Sequence, residues 1–282
     1  MWRVRRGLPC TFQNETVVVK QVLPERAREP RWLGSFIEEI RLYLTLQHPK
    51  IVRFIGVTWR IVVDISMATE YLPRGDLSIS SSGNASESDS VRVREMATLG
   101  PLKCKSLLAL DIAEALVYLH SFERPIIHWD LKHKNVLLSA SWEAKVTDVG
   151  ASREDDQTLA AEIGTVAWIA PEILRGEHYS EKADVYSFGI RVVVRMHKGY
   201  FQARVVTTGY YPIRIAVLVS AGSLRPHVRG DCPQSLSHLV HKCLAYDPVE
   251  RPSALQLHYE LRNLEVERDE RVALTCGASC LE

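Results

Sequence analysis

The alternation of apolar and polar positions starts with Thr16 to Val22, TVVVKQV, a β-branched run that predicts a buried strand carrying Lys20. ERAREPRW follows as a charged, proline-containing connector. Ser35 and Glu38 have capping-box spacing, which places a helix start at Ser35. Phe36, Ile40, Tyr43 and Leu44 then recur at helical spacing until His48-Pro49 ends the run. IVRFIGVTW and IVVDISMATEYL predict two further strands, with the apolar stretch around Ile61 in the core, and Pro73-Arg-Gly75 predicts a turn. The low-complexity Ser78–Ser90 has no apolar period and reads as a surface loop. Beyond Pro101, the residues Leu108, Ile112, Ala115, Leu116 and Leu119 form one apolar helix face. A loop-rich centre leads into mostly helical patterns, including a core helix around Ile215, and the chain closes on VERDERVALTCGASCLE, expected to be a frayed tail. The order is a small strand-rich part with one helix, a hinge near Thr69–Gly75, and a larger helical part.

Composition adds little beyond a globular class. The 282 residues are 46% apolar and 24% charged, with a formal net charge of +1, so no global field points to nucleic acid. MWRVRR is a short solvated edge without the apolar run of a signal peptide. No apolar run reaches the about 18 residues that a membrane-spanning helix needs. Cys10, Cys104, Cys232, Cys243, Cys276 and Cys280 have neither zinc-ligand spacing nor a disulfide framework, which predicts free thiols and a cytoplasmic location. The oligomeric state is not legible.

The chemistry lies in HWDLKHKNVLL, His128 to Leu138. Alone, Asp130 reads as a turn cap. Asn135 adds a neutral oxygen, and Asp148 in TDVG adds a carboxylate; both are hard ligands suited to Mg²⁺, which borrows phosphate oxygens to complete its shell. Asp130 is then placed to accept the proton of an attacking hydroxyl, and Lys132 to neutralise charge on a moving phosphoryl group.

His128 to Asn135 resembles the catalytic loop of eukaryotic protein kinases. Asp148-Val149-Gly150 resembles their magnesium-binding triplet, and Ala170-Pro171-Glu172 the motif that closes the activation segment. Val17-Val18-Val19-Lys20 resembles the strand of the phosphate-binding lysine, with Glu39 as its helix partner on the face of Phe36, Tyr43 and Leu46. Thr69-Glu70-Tyr71-Leu72 resembles the gatekeeper and hinge that hold adenine, between Val18 above and Leu137 below. Asp184 in ADVYSFG and Arg251 in DPVERPSA resemble the structural aspartate and the arginine that pairs with Glu172. The pattern most resembles the tyrosine-kinase-like group, of serine/threonine type, with Thr165 contacting the catalytic aspartate and lysine. The resemblance implies an α+β bilobal fold over residues 1–265 (small lobe 1–72, large lobe 73–265), a tail at 266–282, ATP and Mg²⁺ as cofactors, and a protein substrate offering a Ser or Thr hydroxyl.

Four departures accompany it. No GxGxxG precedes Lys20, as if the chain began one hairpin late at Trp2, through truncation or through loss. Trp129 stands where an arginine would pair with a phosphorylated activation segment; Thr158 is a phosphosite by position, or an ordinary loop threonine. Val149 replaces phenylalanine, which predicts weaker packing against the Glu39 helix. Arg191 and Arg195 fall in a helix expected to be largely buried. Two functions follow: a serine/threonine kinase with Asp130 as base, or a pseudokinase scaffold or allosteric partner with weak or no transfer.

Overall fold

A computed structural model describes residues 4–5, 9–24, 26–77, 101–149, 169–190, 201–202, 217–223, 227–228 and 234–278. Trp2, Gly150, Thr158, Thr165, Arg191, Arg195, the segment around Ile215 and the serine-rich stretch lie outside them.

The small lobe is an antiparallel sheet with one helix. Strands β1 (Val4–Arg5) and β2 (Pro9–Phe12) both pair with β3 (Glu15–Val22), which pairs with β5 (Ser66–Glu70), which pairs with β4 (Phe54–Thr58). The register sets Val18 opposite Thr69 and Lys20 opposite Met67. β3 is less buried than its composition predicts: Val17 is buried, while Val18, Val19 and Lys20 are half-buried.

Helix α1 (Pro30–Thr45) begins five residues before the predicted capping box. Pro30 occupies the first turn, where no backbone N–H is needed and its fixed φ is already helical. Trp32 anchors that turn, donating Nε1–H to Glu29 Oε2 at 2.9 Å beneath the Arg26 and Arg31 guanidinium groups. Part of the presumed connector is therefore helix. Ser35 instead donates to the Arg31 carbonyl at 3.0 Å, and Glu38 pairs with Arg41 on the surface. The buried set Trp32, Phe36, Glu39, Ile40 and Tyr43 keeps the predicted Phe36, Ile40 and Tyr43, while Leu44, expected on the same face, is 64% exposed because it lies one residue, about 100°, round the helix from Tyr43.

The stretch around Ile61 is not a core strand. Val62–Asp64 forms a 3₁₀ turn, and Trp59, Ile61 and Val62 are each more than 60% exposed. The reason is local: the Asp64 carboxylate accepts from the Arg60 and Ile61 amides at 2.8 and 3.0 Å, which bends the chain before a strand can form.

The large lobe is built on α2 (Pro101–His120), whose predicted apolar face is buried throughout. Around it pack the β6–β7 hairpin (Val136–Leu138, Ala144–Val146), α3 (Pro171–Leu174), α4 (Lys182–Phe188), α5 (Gln234–Cys243) and α6 (Ala254–Ala278). A two-stranded pairing joins β8 (Phe201–Gln202) to β9 (His227–Val228). The α6 backbone continues to Ala278, where the sequence reading placed a frayed tail from Val266. VERDERVAL consists mostly of good helix formers, so a helix already docked on α2 propagates through it without an apolar face.

Arg251 and Glu172 lock this lobe from inside. The guanidinium spends every N–H: Nη1 and Nη2 on the two Glu172 oxygens at 2.6 and 2.7 Å, and the rest on the Ala245, Lys182 and Tyr246 carbonyls. Both side chains are essentially inaccessible, at 0% and 1%. Glu172→Gln leaves a buried cation short of its counter-charge and is expected to cost about 3–5 kcal/mol, read as a lower urea midpoint at unchanged slope. Gly189, at the end of α4, has no room for a side chain, because an added Cβ would lie 2.8 Å from Cys243 Cβ. Gly189→Ala is expected to lose about 1–3 kcal/mol in the same measurement through forced overpacking.

Candidate active site

Lys20 reaches out of the middle of β3 into the cleft between the lobes. Its ammonium lies 2.5 Å from Glu39 Oε1 on α1 and 2.8 Å from Asp148 Oδ1, just beyond β7. Burial alone would push the lysine toward its neutral form, but the Asp148 and Glu39 carboxylates outweigh it and hold its pKa far above the ordinary value. Burial raises the Glu39 carboxyl, against the opposing pull of Lys20. Burial also works against the Asp148 charge, yet the lysine wins there and its pKa is lowered. Asp148 therefore stays anionic, with 39% of its side chain exposed.

The catalytic-loop residues are set by a second carboxylate. Asp184 accepts from the His128 and Trp129 amides at 2.8 and 3.0 Å and contacts His120 Nε2 at 3.0 Å. These bonds hold a turn in which Trp129 takes a left-handed φ of 71°, and its ring meets Tyr179 edge-on at 4.1 Å. His128, fully buried, donates Nε2–H to the Thr147 carbonyl at 2.9 Å, which ties the loop to the residue before Asp148. Beyond the turn, Asp130 pairs with Lys132, and the Asn135 amide nitrogen donates to the Asp130 carbonyl at 2.9 Å and to its carboxylate at 3.3 Å. Committing its nitrogen to this side turns the Asn135 amide oxygen to the other. The Asn135 carbonyl in turn accepts from Thr147 N at 2.9 Å.

The hinge candidates lie together as well. Thr69 and Leu72 are buried, and Thr69 faces Val18 across the sheet. The Glu70 carboxylate is committed to Lys145 Nζ at 2.8 and 3.0 Å and to Arg53 N at 2.7 Å, and its own N–H donates to the Arg53 carbonyl at 3.0 Å, so neither group is available to a ligand. After the hinge the chain zips onto β6: Leu77 N donates to the His133 and Val136 carbonyls and Leu138 N to the Gly75 carbonyl, with Asp76 bridged to Leu137.

The charged and metal-ligand candidates are thus gathered in two linked groups, Lys20, Glu39 and Asp148 on one side and Asp130, Lys132 and Asn135 on the other. Val149 is fully buried in the large core. The proposed contacts of Thr165 and Thr158 lie outside the described residues. The sequence reading missed His128, Thr147 and Tyr43 as site residues. Tyr43 carried a usable signal: a tyrosine on the buried face of a helix needs a partner for its hydroxyl, and here that partner is the Asp148 segment.

The donor set suits magnesium. Among the described residues no group of three or more His, Cys, Asp or Glu side chains could hold a metal alone. One carboxylate and one amide oxygen are what a hydrated Mg²⁺ uses when phosphate oxygens supply other ligands.

Comparison with known proteins agrees with this geometry. The protein kinase domain model matches residues 9–260. The probable serine/threonine-protein kinase drkB of Dictyostelium discoideum is 34% identical over 259 residues, covering 90% of this chain and 34% of that protein. The related drkA of the same organism is 33% identical over 260 residues, 90% of this chain and 37% of its own length. The serine/threonine/tyrosine-protein kinase HT1 of Arabidopsis thaliana is 32% identical over 282 residues, 98% of this chain and 67% of its own. The chain spans little more than a third of the two Dictyostelium relatives. With a family model extending over both lobes and through both groups of site residues, the chain belongs to the protein kinase family.

Proposed function

We propose that this chain is a serine/threonine protein kinase of the tyrosine-kinase-like group, which transfers the γ-phosphate of ATP to a Ser or Thr hydroxyl of a protein. The observation that carries this reading is the double pairing of Lys20 with Glu39 and Asp148. It joins the strand, the helix and the Asp148 segment, and protein kinases require such a lysine–glutamate pair beside their magnesium aspartate. Lys20 holds the α- and β-phosphates and Glu39 orients it. Val18 and Leu137 enclose the adenine, Thr69 stands at the back of the pocket, and the Glu70–Leu72 backbone supplies its hydrogen bonds. Asn135 and Asp148 would hold Mg²⁺, which would offset the phosphate charge. Asp130 orients the substrate hydroxyl and takes its proton, and Lys132, already paired with Asp130, moves toward the transferring phosphoryl group. The Ser/Thr assignment rests on Lys132, on Thr165 by resemblance, and on the printed names of the relatives.

The domain is taken as residues 1–265, with the lobes meeting after Leu72; the matched span 9–260 falls within it. No described helix is long and apolar enough to cross a membrane. The cytoplasmic location is proposed from the cysteine usage alone.

A pseudokinase is the second reading, favoured by Val149 and Trp129, which stand where the resembled motifs have a phenylalanine and an arginine. Phosphate transfer to a generic protein substrate separates the two. The kinase reading expects Mg-dependent incorporation that Asp130→Asn lowers by about 10²–10⁴, the range for losing a general base. Equal incorporation by both proteins would sink it, and nucleotide binding without any transfer would favour the pseudokinase.

A further inference from the structure

We infer that Tyr43 is a positioning residue for the magnesium site, its hydroxyl fixing the peptide that carries Asp148. This rests on the assignment of Asp148 as a metal ligand. Tyr43 lies one helical turn beyond Glu39 on the inward face of α1 and is 1% exposed. Its ring packs with Phe36, Ile40 and Met67, an apolar cluster that any large apolar side chain would satisfy. The hydroxyl does something else. It leaves the cluster and meets Asp148 N at 2.8 Å and Thr147 Oγ1 at 3.2 Å. An amide can only donate, so Oη accepts from Asp148 and its own hydrogen is available for Thr147.

The bond completes a clamp on a single peptide unit. The carbonyl of the Thr147–Asp148 peptide accepts from His128 Nε2 at 2.9 Å, and its N–H donates to Tyr43. One anchor comes from the catalytic loop and the other from α1, so the peptide plane is held from both lobes. Asp148 needs such a clamp, because its φ of 58° is left-handed and persists in a non-glycine residue only where the surroundings enforce it. Lys20 also grips Asp148, but through the carboxylate, which must change partners when metal and phosphate arrive. A backbone anchor stays in place through that exchange. Tyr43 therefore holds the carboxylate's origin fixed while its partner changes.

Tyr43→Phe removes the hydroxyl and keeps the ring. Two readouts apply. In the nucleotide-free protein, hydrogen exchange of the Asp148 amide is expected to accelerate about tenfold, while exchange in the strand β5 is unchanged. In a fluorescent-ATP titration, the Mg²⁺ concentration for half-maximal binding is expected to rise about tenfold, with metal-free ATP affinity unchanged. The near-isosteric Thr147→Val, which removes only the outer anchor of the hydroxyl, should give a smaller shift in the same direction. Unchanged exchange overturns the hydrogen bond. Faster exchange with an unaltered Mg²⁺ requirement overturns the positioning role and leaves Tyr43 merely structural. A wild-type protein that binds no Mg-ATP overturns the metal-site assignment itself, and the inference falls with it.

Discussion

The ammonium of Lys20 sits between two carboxylates in a cleft that would expel any one of the three alone. Desolvating a single charge costs several kcal/mol even after relaxation, so the group persists because each member supplies the counter-charge of another. That condition reaches outward. Glu39 must face inward, which fixes the rotation of α1 and gives the Trp32 anchor its purpose. Lys20 must project from β3 at the position opposite Met67, which fixes the register of the sheet. Asp148 must present its carboxylate from a left-handed backbone, which requires the His128 and Tyr43 anchors. The small lobe is the frame for this ion group, and the large lobe delivers its third member.

The large lobe does so through a buried carboxylate and a buried ion pair that take no part in the proposed chemistry. Asp184 organises the loop ahead of Asp130, and the Glu172–Arg251 pair holds the elements beneath it. Trp129 belongs to this layer. Where the resembled motif has an arginine awaiting a phosphate, this chain has a ring resting against Tyr179. The turn is held by the Asp184 carboxylate and by aromatic contact, neither of which depends on a phosphorylated residue.

Much of the site was legible because its residues interrupt apolar patterns. A lysine within TVVVKQV, a glutamate on the inward face of a helix and an aspartate in a buried loop are costly choices that demand partners. The partners could be named from motif order; the distances could not. The errors arose where local hydrogen bonds overrode the apolar pattern. Asp64 converted the Ile61 stretch from strand into an exposed turn. Pro30 started α1 ahead of the capping box at Ser35, whose side chain bonds back to Arg31 instead. Helix propensity carried α6 past the expected tail. In the sequence Tyr43 shows only as an inward-facing position beside Glu39, because a single sequence does not tell where a buried hydroxyl points.

The Lys20 ion group is a nucleotide site rather than a structural relic if Lys20→Met lowers the affinity of the chain for Mg-ATP, and that affinity is the most direct test. Loss of a charge-assisted contact to phosphate is worth roughly 1.5–3 kcal/mol, so binding is expected to weaken by about tenfold to a hundredfold in a variant that remains folded. Equal affinity of the two proteins for Mg-ATP would contradict it.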